Sequence, residues 1–134
     1  MTNIDEYLKG VLEQILTSYK ILTELNDNPN DLETINKELA KISGLLQVIH
    51  NKLSEKKYQS DHLVTLYKLS GYYIDTYDFG REIKILAEVY YKDSNRIKNL
   101  RVLIINSLND KELIEKFQTI LTGLYFLYII FHLF

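Results

Sequence analysis

The chain has 134 residues, a net charge of −2 and no cysteine. The small net charge argues against a nucleic-acid binder, and the lack of cysteine excludes disulfides, thiolate metal sites and cysteine nucleophiles. A chain of this length buries enough surface for one core, so we expect a single domain over residues 1–134. The acidic, polar start MTNIDEYLKG lacks the features of a secretory signal, so a cytoplasmic protein is expected.

Apolar residues recur at steps of three and four along the first part of the chain, which is the helical period. In the first predicted helix this stripe runs from Ile4 to Leu25 with one serine in it, and in the second it is unbroken from Leu32 to Leu53. The polar stretch NDNPND (residues 26–31) separates the two. We therefore expect a hairpin of two antiparallel helices.

Two pairs of residues have the spacing of a capping box, in which each side chain bonds the other residue's backbone N–H. Asn30 with Glu33 stands before the second predicted helix, and Asn109 with Glu112 stands before the last one. The spacing predicts that these helices begin at the two pairs.

The third predicted helix ends near Asp78, and Gly80 marks the corner to a fourth helix. Asp93 occupies a position on the fourth stripe where an apolar residue is expected. Either that helix breaks near KDSN (residues 92–95), or Asp93 lies at an edge of the core. In both cases the expected fold is all-α, an antiparallel bundle of four to five helices joined by short turns.

Residues 117–134 carry no charge and raise the question whether they cross a membrane or fill the centre of the bundle. A helix of this length spans roughly 27 Å, near the lower limit for a membrane span. Its apolar stripe begins earlier, at Leu113, and its first half has a polar side. These features favour a buried hydrophobic C-terminal helix with His132 as a packed core residue, within one chain or shared in a homodimer. Membrane insertion through residues 117–134 and an exposed patch that clamps a partner are the alternatives.

The most unusual internal stretch is GYYIDTYDFGRE (residues 71–82), which combines aromatic and charged side chains. Such aromatics suit protein interfaces because they bury much area and still form hydrogen bonds. The alternatives are an aromatic corner that seals the bundle with Asp78 as a cap, and a cation site of Asp75, Asp78 and Glu82. The basic helix that follows either contacts an acidic partner or is a solvated face. The predicted partner-binding residues from both regions are Tyr72, Tyr73, Tyr77, Phe79, Arg81, Arg96 and Arg101.

No glycine-rich phosphate loop, nucleophile elbow or dinucleotide fingerprint is present, and none of the histidines has a partner at a metal-binding spacing. We therefore expect no catalytic residues, cofactor or metal, and a non-enzymatic protein that binds another protein through its helical faces. The Ile-, Lys- and Asn-rich composition favours a low-GC bacterium, phage or plasmid as the source. The expected role is that of a small regulator or inhibitor. The alternatives are a membrane-associated immunity-like or lysis-related factor, and an enzyme with an unfamiliar site.

Overall fold

The computed structural model describes residues 2–133, without the side chain of Phe131, and no strand occurs among them. The protein is 81% helical, which confirms the all-α prediction. Six α-helices occur in the described residues: α1 (Asn3–Thr23), α2 (Asp31–Lys52), α3 (Asp61–Thr76), α4 (Gly80–Glu88), α5 (Ser94–Leu108) and α6 (Leu113–Leu133). A short turn, Asp110–Glu112, joins α5 to α6.

Apolar side chains from all six helices are buried together in one cluster. Helix α1 packs against α2 and α6, and α2 also packs against α3. The predicted stripe of α2, from Leu32 to Leu53, is buried at every position. Each fully buried Leu or Ile side chain contributes about 1.5–3 kcal/mol to the stability of the fold. Burial of these stripes is therefore the main stabilising contribution to the packing of α1, α2 and α3.

The break at Asp93 decides between the two alternatives for the fourth predicted helix. Helix α4 ends at Glu88, and Asp93 is the N-cap of α5 with an extended backbone (φ −88, ψ 91). Its Oδ1 accepts a hydrogen bond from the backbone N of Arg96 at 3.1 Å. A carboxylate at an N-cap satisfies a free backbone N–H, which explains the acid in the apolar stripe. The described helices therefore number six rather than four to five.

Neither predicted capping box forms. Asn30 already has a helical backbone (φ −71, ψ −14) and makes no side-chain cap bond. The backbone N of Asn30 instead donates to Oδ1 of Asn28 at 3.1 Å. In the second pair, Asn109 ends α5, and Glu112 has a φ of +57°, so α6 begins only after it. In both cases a local turn uses the groups that the box requires.

The prediction of a buried C-terminal helix is right for the first half of α6 and wrong for the second. Residues Leu113, Phe117 and Leu124 are buried. Beyond Leu124 the large apolar side chains are 36–72% exposed: Tyr125, Phe126, Leu127, Tyr128, Ile129, Ile130 and Leu133. We call Tyr125–Leu133 the apolar end of α6.

The apolar end is exposed because α1 lies against one side of it and the other sides face solvent. Lys9 and Glu13 of α1 both contact Tyr125. His132 is exposed rather than packed in the core, and its ring stacks on that of Tyr128 at 4.0 Å. The predicted core position Phe134 lies outside the described residues, as does the side chain of Phe131.

Candidate interaction surfaces

Two of the predicted tyrosines bind one carboxylate at the junction of α5 and α6. The hydroxyls of Tyr72 and Tyr77 donate to Oδ2 of Asp110 at 2.5 and 2.6 Å. Tyr72 belongs to α3, whereas Tyr77 follows its end, where the backbone becomes extended (φ −122, ψ 131). The two hydrogen bonds therefore tie the end of α3 to the turn between α5 and α6.

This shared carboxylate shifts the titration of all three groups. Donation from Tyr72 and Tyr77 stabilises the ionised carboxylate and holds the pKa of Asp110 below its usual 3.8. The same hydrogen bond raises the pKa of Tyr77 to about 12 and also raises the pKa of Tyr72 above 10.0. Over the whole physiological pH range, Tyr72 and Tyr77 are therefore neutral and Asp110 is ionised.

The remaining aromatic residues of this stretch pack inward or against each other. Tyr73 is buried, and its hydroxyl lies 2.8 Å from Oγ of Ser107, which itself donates to the carbonyl of Ile104 at 2.6 Å. The ring of Tyr77 lies 5.1 Å from that of Tyr73 and stacks at 6.2 Å on that of Phe79. This arrangement is the aromatic corner that the sequence offers as the alternative to a partner site. Phe79 stands at the N-cap of α4. Asp78, one residue earlier, accepts from the backbone N of Gly80, the first residue of α4, at 2.9 Å.

A pocket of about 340 Å³ lies between α2 and the aromatic corner. Polar side chains of α2 face aromatic ones across it; the main lining residues are Asn36, Ser43, Gln47, Tyr73, Tyr77 and Phe79. The structure thus brings Tyr73, Tyr77 and Phe79 to one cavity.

The three predicted arginines have different environments. Arg81 is exposed near the start of α4. Arg96 lies over the ring of Tyr90 at 3.9 Å and pairs with Asp93 at 3.3 Å. Arg101 makes an intramolecular ion pair: its side chain is only 12% exposed and lies 2.8 Å from the carboxylate of Asp27. Their roles in partner binding stay predictions.

Arg101 also donates to the carbonyl of Leu22 at 3.2 Å, so it fixes the α1–α2 turn to α5. No signal near Arg101 in the sequence identifies this role, because Asp27 lies 74 residues away.

The carboxylates of the aromatic stretch do not gather into a cation site. Within the described part of the chain, no group of three or more His, Cys, Asp or Glu side chains is placed to hold a metal ion. The alternative of a hard-cation site at Asp75, Asp78 and Glu82 therefore gains no support from the structure.

The apolar end of α6 is predicted from the sequence to lie inside the bundle, but in the structure it is exposed. Its most exposed side chains are Phe126, Ile129 and Leu133, at 62%, 52% and 72%. Their spacing of three and four residues puts them on one outward stripe. The only signal for this surface in the sequence is that from Leu124 onward every helical face is apolar or aromatic.

The inner side of the apolar end is held by two charged residues of α1. The hydroxyl of Tyr125 donates to Oε1 of Glu13, and this hydrogen bond raises the pKa of Tyr125. The ammonium group of Lys9 lies 4.7 Å from the ring centres of both Tyr125 and Tyr128. The charges next to the apolar end are therefore already engaged by its own tyrosines, and the outward stripe is free of charge.

By length and composition, one helix of the described chain is suited to cross a membrane. It covers Asp110–Ile130, with a mean hydropathy of 1.3 over its most apolar window. Of that window, 22% is buried against the rest of the protein. A helix in the core of a soluble protein and a helix inserted in a membrane can both have this length and hydropathy.

A separate, more apolar groove lies between α4 and α5, with a volume of about 280 Å³. Ile85, Leu86 and Leu103 are among its lining residues, with Arg96 and Glu82 at its polar margin. Nearby in sequence, Val89 at the end of α4 is 62% exposed.

Comparison of the chain with protein-family models, with curated proteins and with solved structures gives no match. Function is therefore inferred from the surfaces described above.

Proposed function

We propose that the protein is a non-enzymatic interaction protein that binds another protein chain, with the apolar end of α6 as its main contact surface. The observation that carries the proposal is the solvent exposure of Phe126, Ile129 and Leu133 on one stripe. Contiguous apolar patches of several hundred Å² on a soluble protein mark interaction sites. A stripe with residues at steps of three and four is the form in which helices dock on other helices or grooves.

The aromatic corner has a supporting role in this proposal. Phe79 and Arg81 lie at its outer edge and are proposed as secondary contacts, whereas Tyr72 and Tyr77 hold the corner in place through Asp110. We assign the protein to the cytoplasm, as a small regulator or inhibitor of bacterial, phage or plasmid origin. The Ile-, Lys- and Asn-rich composition supports the bacterial, phage or plasmid origin.

We also propose that the six helices form one antiparallel bundle domain. Two contacts of α1, one with the α5–α6 junction and one with α6, support this arrangement. Asn109, just before α6, donates to the hydroxyl of Tyr19 near the end of α1 at 2.9 Å, while Tyr125 contacts the earlier Glu13. A single cooperative transition by both heat and denaturant is expected, and two separated transitions would contradict one domain.

The experiment for the proposed function is affinity capture with matched variants. The tagged chain is expressed in its source cells together with an untagged copy, and bound proteins are identified by mass spectrometry. We expect the wild type to retain a stoichiometric protein, Ile129→Asp to lose it, and Val89→Asp to keep it. Val89 is the control because its side chain, like that of Ile129, is apolar and exposed, but it lies outside the apolar end. Recovery of no stoichiometric protein, or equal recovery by both variants, contradicts the proposal.

Membrane association is the second candidate, and the length and hydropathy of Asp110–Ile130 favour it. For α6 to insert as a span, Leu113, Phe117 and Leu124 have to leave the core in which they are buried. Fractionation of cells that express the wild type or a chain ending at Leu124 tests this candidate. A wild type in the membrane fraction and a soluble truncated chain would favour insertion, and a soluble wild type rejects it.

A further inference from the structure

We infer that the chain covering the apolar end of α6 is a second copy of this protein, so that the molecule acts as a homodimer joined through α6. This inference rests on the proposed function, because it names the partner of the same surface. Three observations support it: the area of the patch, its lack of charge, and its short length relative to a lipid bilayer.

The exposed area of the patch approaches what a stable dimer needs. The seven described large apolar side chains from Tyr125 to Leu133 are 36–72% exposed. An aromatic side chain buries on the order of 150–250 Å² and an aliphatic one less, so all sides of the apolar end together offer at most roughly 700 Å². A standard specific interface buries about 800 Å² per partner. The apolar end therefore supplies most of one interface of ordinary size when the second copy covers more of it than the outward stripe.

The charge pattern of the patch is compatible with pairing to itself. A two-fold interface brings the same surface of both subunits together, so a side chain on the axis contacts the same residue of the other subunit. Phe126, Ile129 and Leu133 form an outward stripe without charge, so no like charges oppose each other. The neighbouring Lys9 and Glu13 already contact Tyr125 of their own chain. The net charge of −2 also leaves little overall repulsion between copies.

A lipid bilayer fits the patch less well than a second copy does. Within the described residues, Leu124–Leu133 of α6 reaches roughly 15 Å, about half of a hydrocarbon core. The part of α6 that precedes it is locked by the buried Phe117. A helix–helix contact requires no greater length, because two such segments lying side by side cover each other along their whole extent.

The inference is tested by the mass of the purified full chain in solution, from low to high micromolar concentration. The chain has a mass of 15.8 kDa, and we expect the wild type to approach twice that value. Phe126→Asp and Ile129→Asp are expected to stay at the mass of one chain. Val89→Asp adds the same charge to an exposed apolar position outside the patch and is expected to dimerise like the wild type. Far-UV circular dichroism shows that each variant keeps its helices.

The outcomes separate this inference from the proposed function. A wild type that stays monomeric at all concentrations overturns the homodimer, and so does a dimer that survives Ile129→Asp. If capture from cells then returns a different protein that Ile129→Asp loses, the proposed function stands while the inference fails. If the untagged copy is captured by the wild type and lost by Ile129→Asp, both are supported. Binding of the wild type to vesicles in place of self-association also overturns the homodimer.

Discussion

Among the glycines, Gly71 leaves the least room for a side chain. A Cβ built on Gly71 would lie 2.6 Å from Cε1 of His50, far inside van der Waals contact. The His50 ring cannot move away easily, because it stacks on Tyr67 at 4.5 Å with an interplanar angle of 4°. The absence of a side chain at Gly71 therefore lets the imidazole of α2 fit against α3.

We predict that Gly71→Ala lowers the free energy of unfolding by about 1–3 kcal/mol, the usual cost of overpacking a tight contact. Gly44→Ala is the control, since nothing lies within 4 Å of its added Cβ. That substitution is expected to stabilise α2 by roughly 0.5–1 kcal/mol. Urea unfolding measures both values. Equal effects of the two substitutions, or no relief of Gly71→Ala by His50→Ala, would show that the close approach does not exist.

The hydrogen bonds to Asp110 predict a specific dependence of stability on pH. The pKa of Tyr77 is raised to about 12, so its neutral hydroxyl is favoured in the folded state. Its contribution is complete below the unfolded value of 10.0 and is lost as the pH rises towards 12. The pKa of Asp110 is lowered, so its contribution is present above 3.8 and is lost as the pH falls below that value.

We predict that Asp110→Asn moves the pKa of Tyr77 from about 12 back towards 10.0, because the charge that favours the hydroxyl is gone. The near-ultraviolet absorbance of tyrosinate follows this titration, and the difference between each chain and its Tyr77→Phe counterpart isolates Tyr77 from the other tyrosines. An unchanged pKa after Asp110→Asn would mean that the Tyr77–Asp110 hydrogen bond is not formed in solution.

At the scale of elements, the junction of α5 and α6 is the most strained part of the described backbone. Lys111 (φ 54, ψ 22) and Glu112 (φ 57) both have left-handed conformations. Such conformations cost about 1–2 kcal/mol for a residue with a side chain. The junction is held in this form by Tyr72 and Tyr77, which bind the adjoining Asp110.

We predict that Glu112→Gly raises the free energy of unfolding by up to about 1 kcal/mol, because glycine adopts a positive φ without steric cost. Glu115→Gly is the control: it is an exposed glutamate within α6, where glycine is expected to cost about 1 kcal/mol. Thermal and urea unfolding give both values. Destabilisation by both substitutions would place Glu112 in an ordinary helical conformation.

Helix positions follow from the sequence wherever apolar and polar residues contrast. The α2 stripe from Leu32 to Leu53 is buried as predicted, since its polar neighbours leave one possible inward face. The capping boxes fail because local turns replace them: Asn28 accepts from the backbone N of Asn30, and Lys111 has a left-handed conformation. Beyond Leu124 the contrast between faces disappears, so periodicity no longer shows which side is covered, or whether any side is.

At the scale of the whole molecule, the environments of the predicted site residues depend on pairings between distant segments. Tyr72 and Asp110 are 38 residues apart, and Arg101 and Asp27 are 74 apart. Local patterns carry no information about such pairs. The sequence identifies Tyr72, Tyr77 and Arg101 as unusual, and the structure shows that internal contacts engage them. The exposed stripe of α6 takes over the main interaction role in our proposal.

The chain has no cysteine, so single introduced thiols report directly on whether α6 is covered in its first half and open beyond it. We predict that a thiol at Ile129→Cys reacts rapidly in dilute solution and more slowly at concentrations where copies pair. At Leu124→Cys, where the native side chain is 2% exposed, the reaction is expected to be slow throughout. Slow reaction at both positions in dilute solution would show that the bundle wraps α6 to its end and would contradict an open apolar surface. Equally rapid reaction at both would contradict the docking of its first half.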